Sequence, residues 1–172
     1  MDDEQMQGQL EQALEMYKME FQFDYEYTNR HTKSFSVIMK EIIEKEKATY
    51  FKPTGKKIHK KISDRNTFAE VTGLGPSTYD RIKSGSDDYV PSLKTLMTLC
   101  MVYQLNMTMV RELRRSYGYD FNAKDRTHQA YIYLLVCCRG KSLNYCNRVL
   151  RALGVEEKYY LGDGTIVNGI TV

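Results

Sequence analysis

Residues 64–85 constrain the fold of this 172-residue chain more than any other segment. Their sequence predicts two short helices, about Arg65–Thr72 and about Pro76–Ser84, that are joined by a glycine turn and cross at a steep angle. Such a crossing needs a small residue where the helices touch, and Ala69 supplies it. Gly73 can adopt the positive φ that ends the first helix without a Cβ clash.

Apolar residues and a second glycine complete the pattern. Gly75 is suited to cap the second helix, and Pro76 is favoured at its first position because a missing N–H costs nothing there. Apolar side chains stand at the positions where the two helices meet, at Phe68, Leu74 and Ile82. This spacing predicts a helix-turn-helix.

The segment DRNTFAEVTGLGPSTYDRIKSG resembles the helix-turn-helix of the lambda-repressor-like (XRE, Cro-type) family. The similarity continues through DDYVPSLKTLMTLCMVYQL, where a loop that ends in Pro-Ser leads into an apolar helix. More narrowly, SFSVIMKEIIEKE, YVPSLKT, ELRRSYGYDF and YCNRVLRALG are similar to uncharacterised bacterial XRE-like proteins with an extra helical C-terminal region. The resemblance covers about residues 34–154. It implies an all-α, lambda-repressor-like bundle with additional N- and C-terminal helices.

Two positions depart from the family pattern. Thr72 stands where the family usually has an apolar residue, and Tyr79 stands where it usually has Val or Ile. We expect the larger ring of Tyr79 to push the two helices apart or to turn outward.

In this family the second helix of the motif enters the major groove of DNA, and its N-terminal residues meet base edges. The resemblance therefore implies base contacts from Pro76, Ser77, Asp80 and Arg81. Helical geometry agrees, because Ser77, Arg81 and Ser84 face outward when Tyr79 and Ile82 face inward. The candidate phosphate contacts are Arg65, Thr78, Lys83, Lys60 and Lys61.

The charges around this face also support a second interpretation, in which the motif does not bind DNA. Asp80, Asp87 and Asp88 oppose contact with phosphates, and Arg81 could instead pair with Asp80 or Asp87. The net charge of +3 is too small to indicate nucleic acid by itself. The basic stretch Lys52–Lys61 is more often a solvated loop than a polyanion-binding surface, so we interpret it as a loop.

The two ends of the chain leave alternatives open. An amphipathic stripe near the N-terminus either packs on the chain's own core or forms a homodimer; its residues are Met6, Leu10, Leu14, Tyr17 and Phe21. The tail contains Asp163-Gly164 and Asn168-Gly169, which suit tight turns. It predicts a short C-terminal β-hairpin or a docked strand, with a frayed terminus as the alternative.

These features divide the chain into four segments. We expect an acidic N-terminal helical extension (1–33), a helix-turn-helix domain (34–118), a C-terminal helical hairpin (119–154) and the tail (155–172).

Composition and motifs argue against several function classes. No Ser/His/Asp grouping, metal-spaced cluster or phosphate-binding loop occurs, so we expect no enzyme activity, cofactor or metal site. The four cysteines stand in apolar, helix-like contexts and do not suggest a disulfide framework.

No apolar run approaches the ~20 residues that cross a bilayer. The acidic N-terminus is unlike a secretory signal, so we expect a cytoplasmic protein, and the family resemblance implies a bacterial one.

Two functional hypotheses follow. The first is a sequence-specific transcriptional regulator that binds double-stranded DNA, with homodimerisation through the N-terminal helix or the C-terminal region. The alternative is a non-enzymatic protein-interaction or sensing module that keeps the XRE-like fold without reading DNA.

Overall fold

The computed structural model of the protein describes residues 3–22, 33–52, 54–118, 121–122 and 124–165. In this part of the chain, helices predominate and a single pair of short strands lies between the second and third helices. The helices are α1 (Asp3–Gln22), α2 (Phe35–Lys45), α3 (Arg65–Thr72), α4 (Pro76–Ser84), α5 (Leu93–Val102), α6 (Met107–Tyr117), α7 (Arg126–Cys137) and α8 (Leu143–Ala152), and the strands are β1 (Ala48–Phe51) and β2 (Lys57–Lys60). A 3-10 turn follows α8 at Glu157–Tyr159.

The expectation of a mainly helical, all-α-like protein is confirmed, but the interpretation of the lysine-rich stretch as a loop needs a correction. This stretch is not a simple loop, because β1 and β2 pair antiparallel, with Ala48 opposite Lys60 and Phe51 opposite Lys57. The β-branched and aromatic residues of the sequence ATYF favour a strand. The turn is closed by Gly55, which has a φ of 80° and donates its N–H to the Lys52 carbonyl at 2.8 Å.

Only part of the predicted C-terminal hairpin lies within the described residues. Up to residue 165 the tail forms the 3-10 turn and two glycine turns, and the described residues contain no strand there. The Asn147 side chain takes the place of a strand partner: it accepts the Leu161 N–H at 2.7 Å and donates to the Leu161 carbonyl at 3.1 Å. Asn168-Gly169 lies outside the described residues.

The N-terminal stripe packs on the chain's own core from Met6 to Tyr17, and the side chain of Phe21 lies outside the described part. Leu10, Ala13 and Tyr17 are buried, and α1 lies against α7. The Tyr133 hydroxyl of α7 donates to the side-chain oxygen of Gln9 at 2.8 Å. Buried residues from α1 through Leu161 belong to one hydrophobic core, so the N- and C-terminal helices support the central ones directly.

None of the helices in the described ranges combines the length and the apolar character that a bilayer crossing requires.

Thr72 ends α3 in a fully buried position, and its hydroxyl explains why a polar residue is tolerated there. The hydroxyl donates to the Phe68 carbonyl at 2.8 Å and accepts the Leu74 N–H at 3.1 Å. It therefore satisfies a backbone donor in the turn that an apolar side chain would leave without a partner.

We expect Thr72→Val, which has nearly the same shape, to lower the free energy of unfolding by about 1–3 kcal/mol, because the buried Leu74 N–H loses its acceptor. Thr72→Ser keeps the hydroxyl and removes one methyl, so its loss should stay near ~1 kcal/mol. Urea denaturation followed by circular dichroism measures both. A Val variant as stable as the parent would show that the hydroxyl contributes nothing to the turn.

Candidate nucleic-acid interface

The connection between α3 and α4 is three residues long and has a defined geometry at each end. The Asp64 carboxylate caps α3 by accepting the N–H groups of Asn66 and Thr67, each at 2.9 Å. Gly73 ends α3 with a φ of 66°, and Gly75 precedes Pro76 at the start of α4. The helix bounds agree with those predicted from the sequence.

Tyr79 does not turn outward. Its ring is 8% exposed and lies against Phe68, with 5.4 Å between ring centroids and an angle of 49° between the planes. Its hydroxyl donates to the Ser63 carbonyl at 3.2 Å, at the start of α3. The larger ring is thus accommodated because its polar end finds an acceptor at the edge of the core.

With Tyr79 and Ile82 buried, α4 presents its opposite side to solvent. All four predicted base-contact residues are exposed, and Thr78 is half-buried; the four are Pro76, Ser77, Asp80 and Arg81. We call these four residues the outer face of α4. The helix packs on α2 and α3 through its other side.

Arg81 is held by an aromatic ring. Its guanidinium carbon lies 5.7 Å from the centroid of the Tyr89 ring, within the range of a cation–π contact. Tyr89 in turn meets Phe35 edge-on, with ring centroids 5.9 Å apart. Within the described ranges no carboxylate forms an ion pair with Arg81, so its pairing with Asp80 or Asp87 is not observed. A guanidinium that contacts a ring in this way still has N–H groups available for hydrogen bonds.

Asp80 pairs instead with a residue on α3. Its carboxylate lies 3.9 Å from the Arg65 guanidinium, and both side chains are more than half exposed. A contact this long between solvated groups is weak. The predicted phosphate contact Arg65 and the predicted base contact Asp80 therefore partly neutralise each other at the N-terminal side of the outer face.

The three candidate lysines also have acidic or carbonyl partners. Lys83 pairs with Glu44 at 2.8 Å, and Lys61 donates to the Glu44 backbone carbonyl. Lys60 pairs with Glu70 at 3.0 Å. The hydrogen bond from Lys83 lowers the pKa of Glu44, and the same bond raises the pKa of Lys83. These exposed pairs are weak enough for a phosphate to compete with the carboxylates.

A turn from the far end of the chain braces the α3–α4 connection, which the sequence did not indicate. A Cβ at Gly73 would lie 2.8 Å from the Asp163 backbone nitrogen, and a Cβ at Gly162 would lie 2.7 Å from the Thr72 carbonyl oxygen. The two backbones therefore touch. The Thr98 hydroxyl accepts the Gly162 N–H at 3.0 Å and holds this C-terminal turn in place.

No protein-family model matches the chain, and no curated protein or solved structure matches it either. Among the residues that the structure describes, no three His, Cys, Asp or Glu side chains come together as a metal site would require.

We expect Gly73→Ala to destabilise the protein more than Gly85→Ala. Both glycines have a positive φ, 66° and 67°, so both variants lose about 1–2 kcal/mol to backbone strain. A Cβ at Gly85 meets nothing within 4 Å, whereas one at Gly73 collides with the C-terminal turn and should cost a further ~1–3 kcal/mol. Chemical denaturation of both variants measures the difference. Equal losses would refute the backbone contact.

The pKa of the Asp64 carboxyl should lie well below that of an ordinary aspartate. Hydrogen bonds from Thr67, its backbone N–H first and then its hydroxyl, lower the pKa of Asp64 from 3.8 to about 2. Because the folded-state pKa is depressed, the stabilising cap is complete above pH ~4 and is lost as the pH falls through about 2.

An NMR titration of the Asp64 carboxyl carbon gives its pKa directly. In a thermal melt at neutral pH, Asp64→Ala should lower the midpoint, whereas Asp88→Ala, in an exposed turn, should leave it nearly unchanged. A midpoint that is the same for Asp64→Ala and the parent protein would contradict the proposed cap.

Proposed function

We propose that the protein is a sequence-specific DNA-binding transcriptional regulator, in which α3 and α4 form a lambda-repressor-like helix-turn-helix and α4 enters the major groove. One observation carries the proposal: the outer face of α4 is open to solvent while Tyr79 and Ile82 fasten the helix to the core. A recognition helix needs this division, since the side chains that read bases must protrude from a rigid support.

Arg81 is the principal base-reading residue in this proposal. Its guanidinium can donate two parallel hydrogen bonds to O6 and N7 of guanine. Its contact with Tyr89 restricts the side chain before DNA binds, so less conformational entropy is lost on binding. Ser77, one turn earlier, is placed to reach a base or a phosphate. Pro76 lacks an N–H and contributes shape and apolar contact only.

The phosphate contacts lie around this face. Arg65 lies beside Asp80, Thr78 lies in the first turn of α4, and Lys83 lies in its last turn. Lys60 and Lys61 extend the basic character from β2. At each of these lysines a DNA phosphate would replace a carboxylate or carbonyl partner. The gain in binding free energy per lysine is therefore smaller than for an unpaired side chain.

For a homodimer on paired half-sites we favour the C-terminal region over the N-terminal helix. At Leu10 and Tyr17 the apolar stripe of α1 is already buried in the core of its own chain, where α1 lies against α7. Using it between two chains would first require its release from that core.

Acidic residues near α4 favour a second candidate function, a non-enzymatic protein-interaction or sensing module. Asp80, Asp87 and Asp88 are exposed, and Asp80 belongs to the outer face itself. Their charge repels phosphates but suits a basic protein partner.

Salt dependence separates the two functions. A regulator that contacts several phosphates loses affinity for random duplex DNA steeply and linearly on a log–log plot as salt increases. No binding to duplex DNA even at low salt would leave the interaction module as the surviving candidate.

A specific site can be obtained by selecting genomic fragments that bind the purified protein. On that site we expect Arg81→Ala to weaken binding about 5- to 150-fold, as one bidentate guanine contact predicts. Binding to random DNA should change much less. Arg139→Ala, an exposed arginine in the turn before α8, is the matched control and should leave both affinities unchanged. An equal loss on all sequences would assign Arg81 to phosphate contact and exclude a base-reading role.

A further inference from the structure

The β1–β2 hairpin and the residues next to it carry a large share of the positive charge of the chain. Residues 47–63 contain six lysines and one histidine, and they contain no Asp or Glu. Because the whole chain has a net charge of +3, the residues outside this segment are together net negative. The positive charge is therefore concentrated in one segment, which is typical of a surface that binds a polyanion.

The strand pairing places two of these lysines directly opposite each other. Phe51 pairs with Lys57, and the pairing continues by one step because the Lys52 N–H donates to the Lys56 carbonyl at 3.0 Å. Like charges at directly opposite positions destabilise an antiparallel pair. A bound anion would relieve the repulsion between Lys52 and Lys56.

Three lysines at the end of the hairpin have no acidic partner. We call Lys52, Lys56 and Lys57 the hairpin tip; all three are exposed. In the described ranges of the chain, no carboxylate forms an ion pair with any of them. Lys60 differs, because it is paired with Glu70 at 3.0 Å. An anion that binds at the hairpin tip therefore displaces no carboxylate.

The hairpin tip lies beside the helix-turn-helix. The strand β1 lies against α3, and an ion pair joins β2 to Glu70 of the same helix. Lys52 and Gly55 line a cavity of about 260 Å³ that Gly73 lines as well. Gly73 stands three residues before Pro76, so the first residue of α4 lies at most about 11 Å from it. The tip is therefore close to the connection that leads into the outer face of α4.

The two faces of the hairpin favour an extended polyanion over a single small anion. Side chains alternate between the faces of a strand, so Lys57 points to the face opposite that of Lys56. A small anion would contact one face only. A DNA backbone presents a row of phosphates that lysines on both faces can reach.

We propose that the hairpin tip is a second DNA-contacting element, which binds backbone phosphates next to the part of the major groove that α4 enters. This inference rests on the proposed function and adds a contact outside the helix-turn-helix. The major groove is about 12 Å wide and its rims carry the phosphates, so an element beside the start of a helix in the groove meets them. Phosphate contacts carry no sequence information directly, so the tip increases affinity for all sequences and fixes the orientation of α4.

The salt dependence of binding to random duplex DNA tests this proposal. In the hairpin variant, Lys52, Lys56 and Lys57 are all replaced by Gln. The slope of log K against log salt concentration should be less steep than that of the parent protein by about 2.7, since each phosphate contact contributes about 0.9.

A control variant loses the same amount of charge elsewhere. It carries Gln at three exposed cationic positions of the C-terminal helices and their connections, Lys124, Arg139 and Arg151. Its slope should differ from that of the parent by less than about 1. Equal changes of slope in the two variants would show that only net charge matters, and the proposal would be wrong.

A single charge reversal separates loss of contact from loss of fold. Lys52→Glu places a carboxylate opposite Lys56, so an attractive pair replaces a repulsive one and the thermal midpoint should not fall. The affinity for duplex DNA should nevertheless fall at least about fivefold at low salt, because the contact of residue 52 is lost and Lys56 gains a competing partner. An unchanged affinity would contradict the proposal.

The outcomes distinguish this inference from the proposed function. If the parent protein and the hairpin variant bind duplex DNA with the same salt slope, the hairpin has no role and the proposed function still stands. If the parent protein does not bind duplex DNA even at low salt, both are wrong. A hairpin variant that loses affinity for phosphatidylserine vesicles but keeps its affinity for DNA would assign the tip to an anionic membrane surface and overturn the proposal.

Discussion

The packing of Tyr79 and Ile82 against Phe68 is the contact on which the arrangement of the central helices depends. Helices of eight and nine residues are too short to be stable in isolation. The helices α3 and α4 therefore depend on burying apolar surface against each other, with α3 also packed on α5 and α4 on α2. The caps at Asp64 and Gly73 only decide where they start and stop. A side chain on the outer face of α4 is therefore positioned by residues on the opposite side of the same helix.

The connection between the two helices is constrained from outside as well. Gly73 and Gly162 meet backbone to backbone, and Asn147 and Thr98 fix the C-terminal turn that carries Gly162. An αL glycine at a helix end is common, but here the absence of a Cβ serves a second purpose, since it allows another segment to pass within van der Waals distance. A shift of α8 would therefore displace the C-terminal turn and, through it, the connection between α3 and α4.

Local signals in the sequence were sufficient to predict most helices of the described chain. The bounds of α3 and α4 follow from Gly73, Gly75 and Pro76, whose conformational preferences do not depend on distant residues. The strands were missed because the lysine-rich composition of Lys52–Lys61 indicates a solvated loop, whereas Gly55 closes a hairpin turn there. The tail contains no strand up to residue 165, and there Asn147, on α8, binds the backbone of Leu161.

In the candidate site, too, local patterns were predictable from the sequence and contacts between distant residues were not. Helical periodicity alone predicted which residues of α4 face outward, and that part agrees with the exposed positions. Periodicity does not reveal the partners of the charged residues: Glu44 and Glu70 are distant in sequence from the lysines that they neutralise. These pairs make the surface around α4 less basic than a count of its lysines suggests. Arg81, beside the ring of Tyr89, is therefore the one cation among the four residues of the outer face.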